Sequence, residues 1–231
     1  MNKLKTTICA ACTLVLASFG SAQADSSNFA GPYIGIQALG LGAEFDGTGR
    51  SSAGTSGAVT DKVQVGAAVA TYGVEAGYTI PIGSAFALDI GAQYLSGEGK
   101  ITATNSDVAN TAGNATFKFD DHVTAYIAPT LVLSDTSSVY WKIGVSEADT
   151  GVSGDITQPG KLSGTMHAIG TRTVLDSGIF IRTEAGFTEY NGISAHGKGT
   201  GTVAKDRIDQ GTSFSAEPTI VHGVVSLGFR F

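Results

Sequence analysis

The sequence predicts an all-β chain, an eight-stranded, antiparallel, up-and-down transmembrane β-barrel. Three observations predict it. Segments of alternating residues recur eight times at about ten residues each, the length a tilted strand needs to cross a bilayer. The charged residues at membrane depth in those segments share one face. The connections alternate between short turns and long polar stretches, so the two rims of the barrel differ.

The amino terminus is set apart before strands are counted. Lys3 and Lys5, the apolar run Ile8–Phe19 and the small-residue site Ala22-Gln23-Ala24 predict a cleaved signal peptide over residues 1–24 and a barrel over 25–231. The run is shorter than the ~20 apolar residues of a transmembrane helix; a retained membrane anchor is the alternative. Both cysteines, Cys9 and Cys12, lie in this leader, at positions unsuited to lipidation, so the exported chain carries neither disulfide nor thiol ligand. Export without cysteine fits a Gram-negative envelope barrel better than a disulfide-stapled secreted domain. Without Lys3 and Lys5 the chain has 12 basic against 20 acidic residues, a net charge of −8. That argues against a nucleic-acid partner, whose phosphates need a basic face.

The first strand runs from Tyr33 to about Phe45, with Ile34, Ile36 and Ala38 outward and Tyr33, Gly35 and Gln37 inward. The second, Val63 to Ile80, sends Tyr72, Val74, Ala76, Tyr78 and Ile80 out and Gly73, Glu75 and Gly77 in; the turn Pro81-Ile82-Gly83-Ser84 follows. In the third, Ala85 to Ser96, Phe86, Leu88, Ile90, Ala92 and Tyr94 alternate with inward Asp89, Gly91 and Gln93. The fourth, Thr116 to Leu133, places Val123, Ala125, Ile127, Leu131 and Leu133 outward, and Pro129 within it predicts either a local bulge or a different register, because Pro has no N–H for the ladder. After Ser134–Ser137, the fifth strand has Val139, Trp141, Ile143 and Val145 out and Tyr140, Lys142 and Gly144 in. The sixth, Leu162 to Leu175, lacks a clean apolar face; Ile169, Thr171, Thr173 and Leu175 are set outward because that puts Arg172 inside. The seventh, after Asp176-Ser177-Gly178, sets Ile179, Ile181, Ala185 and Phe187 against inward Arg182, Glu184 and Gly186. The eighth, Thr219 to Phe231, alternates Val221, Gly223, Val225, Leu227, Phe229 and Phe231 with Ile220, His222, Val224, Ser226, Gly228 and Arg230. The long connections fall at about 46–62, 97–115, 147–161 and 191–212.

Seven charged residues at membrane depth, Glu75, Asp89, Lys142, Arg172, Arg182, Glu184 and Arg230, are predicted inside the barrel. Charges of outward parity, Glu44, Asp121, Glu147 and Glu189, sit at the loop ends of their strands. This follows the cost of a basic residue on the lipid face, about 2–4 kcal/mol at mid-bilayer and near zero at the interface. Outward aromatics sort by height into two girdles: Tyr78, Phe86, Trp141, Phe229 and Phe231 near the short turns, and Tyr72, Tyr94 and Phe187 nearer the loops.

The eight strands, the Tyr33-Ile34-Gly35 start after Gly31-Pro32 and the Phe229-Arg230-Phe231 end resemble the opacity-type and OmpA/OmpX-type outer-membrane barrels. The resemblance covers residues 25 to 231 and is one of pattern. It implies that the barrel-assembly machinery reads the last strand through Phe229 and Phe231. It also implies outer-membrane lipid around the barrel and long loops outside the cell. Unlike full-length OmpA proteins, the chain is expected to carry no peptidoglycan-binding domain after the barrel.

Eight strands leave an interior just wide enough for side chains. The seven charges therefore favour a self-neutralising network that fills the barrel, with Gln37, Gln93, Tyr126, Tyr140, His122 and His222 completing its hydrogen bonds. A narrow porin-like passive channel is the second reading. A lipid-modifying enzyme is the third, resting on His167 with Ser163 or Thr165 on the outer face; His196 sits in a loop without an evident partner. No catalytic residue, cofactor or metal ligand is expected. The Ser, Thr and Gly of the loops fit either solvated linkers or an adhesive or antigenic surface that meets a host or surface ligand.

Overall fold

A computed structural model describes residues 25–51, 59–96, 99–104, 114–199 and 213–231. The described strands are β1 (Gly31–Ser51), β2 (Val59–Ile82), β3 (Phe86–Ser96), β4 (Gly99–Thr104), β5 (Asn114–Val132), β6 (Ser137–Ser153), β7 (Leu162–Val174), β8 (Ile179–Tyr190), β9 (Ile193–His196) and β10 (Ser213–Arg230). Each neighbouring pair is antiparallel, and β1 pairs with both β2 and β10, which closes the sheet. Eight positions make up the barrel wall. β4 takes over from β3 against the upper part of β5, and β9 does the same for β8 against β10. The predicted leader, residues 1–24, lies outside the described residues.

The alternation read from the sequence is the alternation of the wall. Ile34, Ile36, Val74, Phe86, Ile90, Val225 and Leu227 are exposed, while Tyr33, Gln37, Glu75, Asp89, Gln93, Ser226 and Val224 between them are buried. Ile36 is 63% exposed and Val225 57%, a surface that an aqueous protein would hide and that bilayer hydrocarbon covers. In β7, Arg172 is buried and Thr171 and Thr173 are exposed, as the placement of the arginine required.

Two expectations are corrected. Large parts of the long connections are strand: β1 and β2 stay paired as far as Ser51 and Val59, β4 pairs with β5 from Gly99 to Thr104, and β6 continues to Ser153. At 21 and 24 residues, β1 and β2 are about twice the length that crosses a bilayer, so the barrel extends beyond it. Residues 52–58 and 200–212 of the Ser/Thr/Gly tracts lie outside the described residues. Second, Pro129 makes no bulge. It faces outward, pairs with Leu88, and only interrupts the ladder to β6, whose register is the same at Ile127↔Ile143 and Thr130↔Tyr140. The shift occurs between Asp120 and Val123, where Asp121 has φ 48°. Asp tolerates that left-handed backbone better than most residues, and its carboxylate accepts a hydrogen bond from the outward Tyr94 hydroxyl.

The interior is layered. At the short-turn end a 3-10 turn, Ser26–Phe29, tucks under the wall and inserts Phe29 beside Tyr33, Val132, Val174 and Phe180. Ser27 N–H bonds the Asp25 side chain, which holds that carboxyl below its usual range, and Ser26 N–H reaches Ser84 O at 2.8 Å. At the opposite end Ala148, Leu162, Tyr190, Ile193 and Ile220 form an apolar layer. The charges lie between.

Candidate functional site

The charges in the middle of the interior come from inward positions of β2, β3, β6, β7 and β8, and β1, β5 and β10 add Tyr33, Tyr126 and His222. Arg182 is the hub. Its Nη1 donates to Glu75 Oε2 at 3.0 Å and its Nη2 to Asp89 Oδ2, and Asp89 also accepts from Arg172 Nη2. Thr79 completes this half: its hydroxyl donates to Asp89 at 2.6 Å and accepts from Arg172 Nη1 at 3.0 Å. A second group centres on Lys142, whose Nζ lies 2.6 Å from Glu184 Oε2 and 3.1 Å from Gln93 Oε1, and 4.4 Å from the centre of the Tyr126 ring. Glu184 accepts from Tyr140 at 3.0 Å and has His222 Nε2 at 3.3 Å. The two groups meet at the tyrosines, where Tyr126 donates to Glu75 and bonds the Tyr33 hydroxyl.

Six of the seven predicted interior charges are thus brought together, three cations with three anions. Arg230 is a correction. It sits half-buried at the short-turn rim and donates to the carbonyls of Ser27 and Ala30 at 3.4 and 3.2 Å, because its position, the last of β10, lies below the charge layer and against the 3-10 turn. The charges of the layer then balance without it. Every ionic side chain of the network is at most 3% exposed, so each depends on its partners rather than on water. The pairing also separates neighbours on one strand: Arg182 turns to Glu75 and Asp89, while Glu184 serves Lys142.

Thr79, Tyr33 and Phe180 belong to this site and were not singled out as site residues. The signal for them is cross-strand. Tyr33, Tyr126, Tyr140 and Phe180 are each paired directly with a glycine on the next strand: Gly77, Gly91, Gly170 and Gly228. Each ring lies across its glycine so closely that a Cβ on Gly228 would sit 2.1 Å from Phe180 Cζ, and one on Gly170 2.4 Å from the Tyr140 hydroxyl. The rings so laid down stack the arginines, with the Arg182 guanidinium 4.5 Å from the Tyr33 centroid and 5.3 Å from that of Phe180.

Above the charges, His122 bonds the Tyr190 hydroxyl at 2.8 Å and Thr124 bonds Ser146 at 2.8 Å. Gln37 is buried in the wall, its Oε1 without a hydrogen bond among the described residues. On the outer face, Tyr72, Tyr78, Phe86, Tyr94 and Trp141 are 69%, 52%, 57%, 39% and 52% exposed, and Phe187 is half-buried under His167. Phe229 and Phe231 make an edge-on pair at 5.2 Å, and Phe231 N–H bonds Pro32 O. The candidate nucleophile and base on the outer face are not joined: His167 lies between Trp141 and Phe187, and Ser163 accepts from Asn191 at 3.1 Å. His196 belongs to β9, paired with Ser213, rather than to a free loop.

The family profile of the outer membrane protein beta-barrel domain matches residues 11–214. Comparison with curated protein sequences gives no significant match. Among solved structures, the outer membrane protein OprG from Pseudomonas aeruginosa aligns over 91% of this chain and 100% of its own, at 12% identity and a TM-score of 0.53. The outer membrane protease OmpT from Escherichia coli aligns over 87% and 97% at 10% identity and 0.46. Ail, the attachment invasion locus protein of Yersinia pestis, aligns over 85% and 99% at 8% identity and 0.36. At 12% identity the likeness to OprG speaks for the fold alone.

Proposed function

The chain belongs to the outer membrane protein beta-barrel family, and on that premise we propose that it is a non-enzymatic barrel with a structural or surface-interaction role, its interior sealed rather than conducting. One observation carries the reading. The interior cross-section at the level of Arg182 is filled by three cations, three anions and four aromatic rings, nearly all buried and bonded to one another. A water-filled pore would leave such groups hydrated and would not require rings pressed against glycine.

In this reading the amino-terminal leader directs export and outer-membrane lipid surrounds the apolar belt. The barrel-assembly machinery engages the last strand through Phe229 and Phe231, and the end opposite the short turns faces the cell exterior. That end is where a host or surface ligand is met. The long paired extensions support this, because they raise a rigid platform above the bilayer instead of a set of loose loops.

The test is single-channel recording of the refolded protein in planar bilayers. No steady conductance is expected, and a steady sub-nanosiemens conductance would move the assignment to a narrow channel. Deleting Phe231 should lower the amount assembled in the outer membrane by more than the lost burial of one Phe, about 1.5–3 kcal/mol, accounts for. Normal levels would remove the role given to the last strand.

A further inference from the structure

One strand breaks the rule that the rest of the outer wall obeys. At membrane depth the outward positions of β1, β2, β3, β5, β6 and β10 carry only apolar, aromatic or small residues. Those of β7, from the short-turn rim upward, are Thr173, Thr171, Ile169, His167 and Thr165. The adjoining β8 adds Thr183, paired with Thr171. The three β7 threonines and Thr183 are exposed, and His167 is half-exposed. This absence of an apolar face is what leaves the strand hard to read from sequence.

Hydrocarbon offers none of these groups a hydrogen bond. The Thr171 and Thr183 hydroxyls, 2.8 Å apart, bond each other, which uses one of their two protons and leaves the other directed elsewhere. The His167 ring is gripped by Trp141, 6.2 Å away and 24° from parallel, and by Phe187 at 5.6 Å, while its nitrogens make no hydrogen bond among the described residues. The result is a patch with aromatic anchors at its centre and unspent donors along it.

We propose that this face of β7 and β8 is a homodimer interface within the membrane, covered by a second copy of this chain instead of lipid. The donor and acceptor inventory selects that occupant. A hydroxyl is both donor and acceptor, so the patch complements itself without requiring an opposite charge on a partner. Two copies inserted in the same direction are related by a two-fold axis along the membrane normal, which brings each residue to the height of its own equivalent. Two Thr171–Thr183 pairs meeting at one height can close a ring of four hydroxyls in which each donates once and accepts once.

The experiment has two arms. In the full chain with Cys9 and Cys12 replaced by Ser, Thr173→Cys and, on the opposite wall, Ile36→Cys are oxidised in native outer membranes. A cross-linked product with the mass of two chains is expected from Thr173→Cys and not from Ile36→Cys. In liposomes, dilution of donor- and acceptor-labelled protein with lipid reads the dimer by energy transfer. The triple variant Thr171→Val, Thr183→Val, His167→Leu is expected to dissociate at protein-to-lipid ratios at least ten times higher, while keeping the heat-modifiable gel migration of a folded barrel. Energy transfer absent at every ratio, a triple variant that associates like the parent, equal cross-linking at both positions, or a product with a chain of different mass would each overturn the proposal, the last in favour of another membrane protein. If the triple variant does not fold, the cross-linking arm decides.

Discussion

At Val145 the outer side of β6 is apolar and its inner neighbours, Lys142, Gly144 and Ser146, are polar or small; at Ala148 and Asp149 the two sides have changed places. The same reversal runs round the barrel. Below the level of Tyr72 and Tyr94 the wall is apolar outside, except along β7 and the adjoining Thr183, and the charge layer lies inside. Above it Glu44, Glu147, Asp149, Lys161 and Glu189 are on the outside, and Ala148, Leu162, Tyr190, Ile193 and Ile220 are within. Asp149 and Lys161 form a surface pair at 3.1 Å, and the hydrogen bond to Asp149 holds the Lys161 ammonium above its usual pKa. One continuous sheet thus solves two solvation problems. Where hydrocarbon surrounds it, apolar side chains gain nothing by turning inward and the polar groups must find one another. Where water surrounds it, the arrangement of an ordinary soluble core returns.

If the lower half is held by ions and the upper by hydrophobic burial, substitutions should divide accordingly. The largest loss is expected from Arg182→Met, roughly 3–5 kcal/mol for breaking a buried pair. Urea unfolding in lipid should show strong coupling of Arg182 with Glu75 and with Asp89 in double-mutant cycles, and little with Glu184. Comparable coupling to Glu184 would contradict the division into two ionic groups. Next is Leu162→Ala in the upper core, about 3 kcal/mol for a buried Leu that is 1% exposed. This loss should be local: proteolysis at the outer end accelerates while heat-modifiable migration persists. Loss of the folded form itself would show that the halves unfold as one.

Gly228→Ala tests packing in the lower half and is expected to cost roughly 1–3 kcal/mol, the range for overpacking, since the added Cβ meets the Phe180 ring. Combining it with Phe180→Leu should recover part of the loss; no recovery would place the strain in the backbone instead. The smallest effect, about 1 kcal/mol or less, is expected for Arg230→Gln, since the guanidinium donates to two carbonyls at a half-exposed rim. Coupling of Arg230 to Asp89 or Glu75 above that size would return it to the interior network.

Parity was legible in the sequence because it is local. A period of two needs only a residue and its neighbours on the same strand, and a charge at mid-bilayer is so costly on the wrong face that Glu75, Asp89 and Lys142 each confirm the register of their own strand. Even the reversal left a trace, in the outward Glu44, Asp121, Glu147 and Glu189 at strand ends. Read as the start of loops, they mark instead the point where paired strands leave the bilayer, since a ladder continues in water as readily as in lipid.

Partners were not legible, because they are chosen across the lumen. Arg182 bonds Glu75 and Asp89 over separations of 107 and 93 residues, and no pattern on β8 distinguishes those acids from Glu184 two positions away. Arg230 shows the same limit: parity puts it inside, but only the height of the last position of β10 and the 3-10 turn beneath it decide that its guanidinium meets carbonyls. By itself the sequence determined which face each residue takes, through the two-residue period and the cost of charge in hydrocarbon. Tertiary structure alone decided which charge answers which, because stagger around a closed barrel sets the height at which distant strands meet.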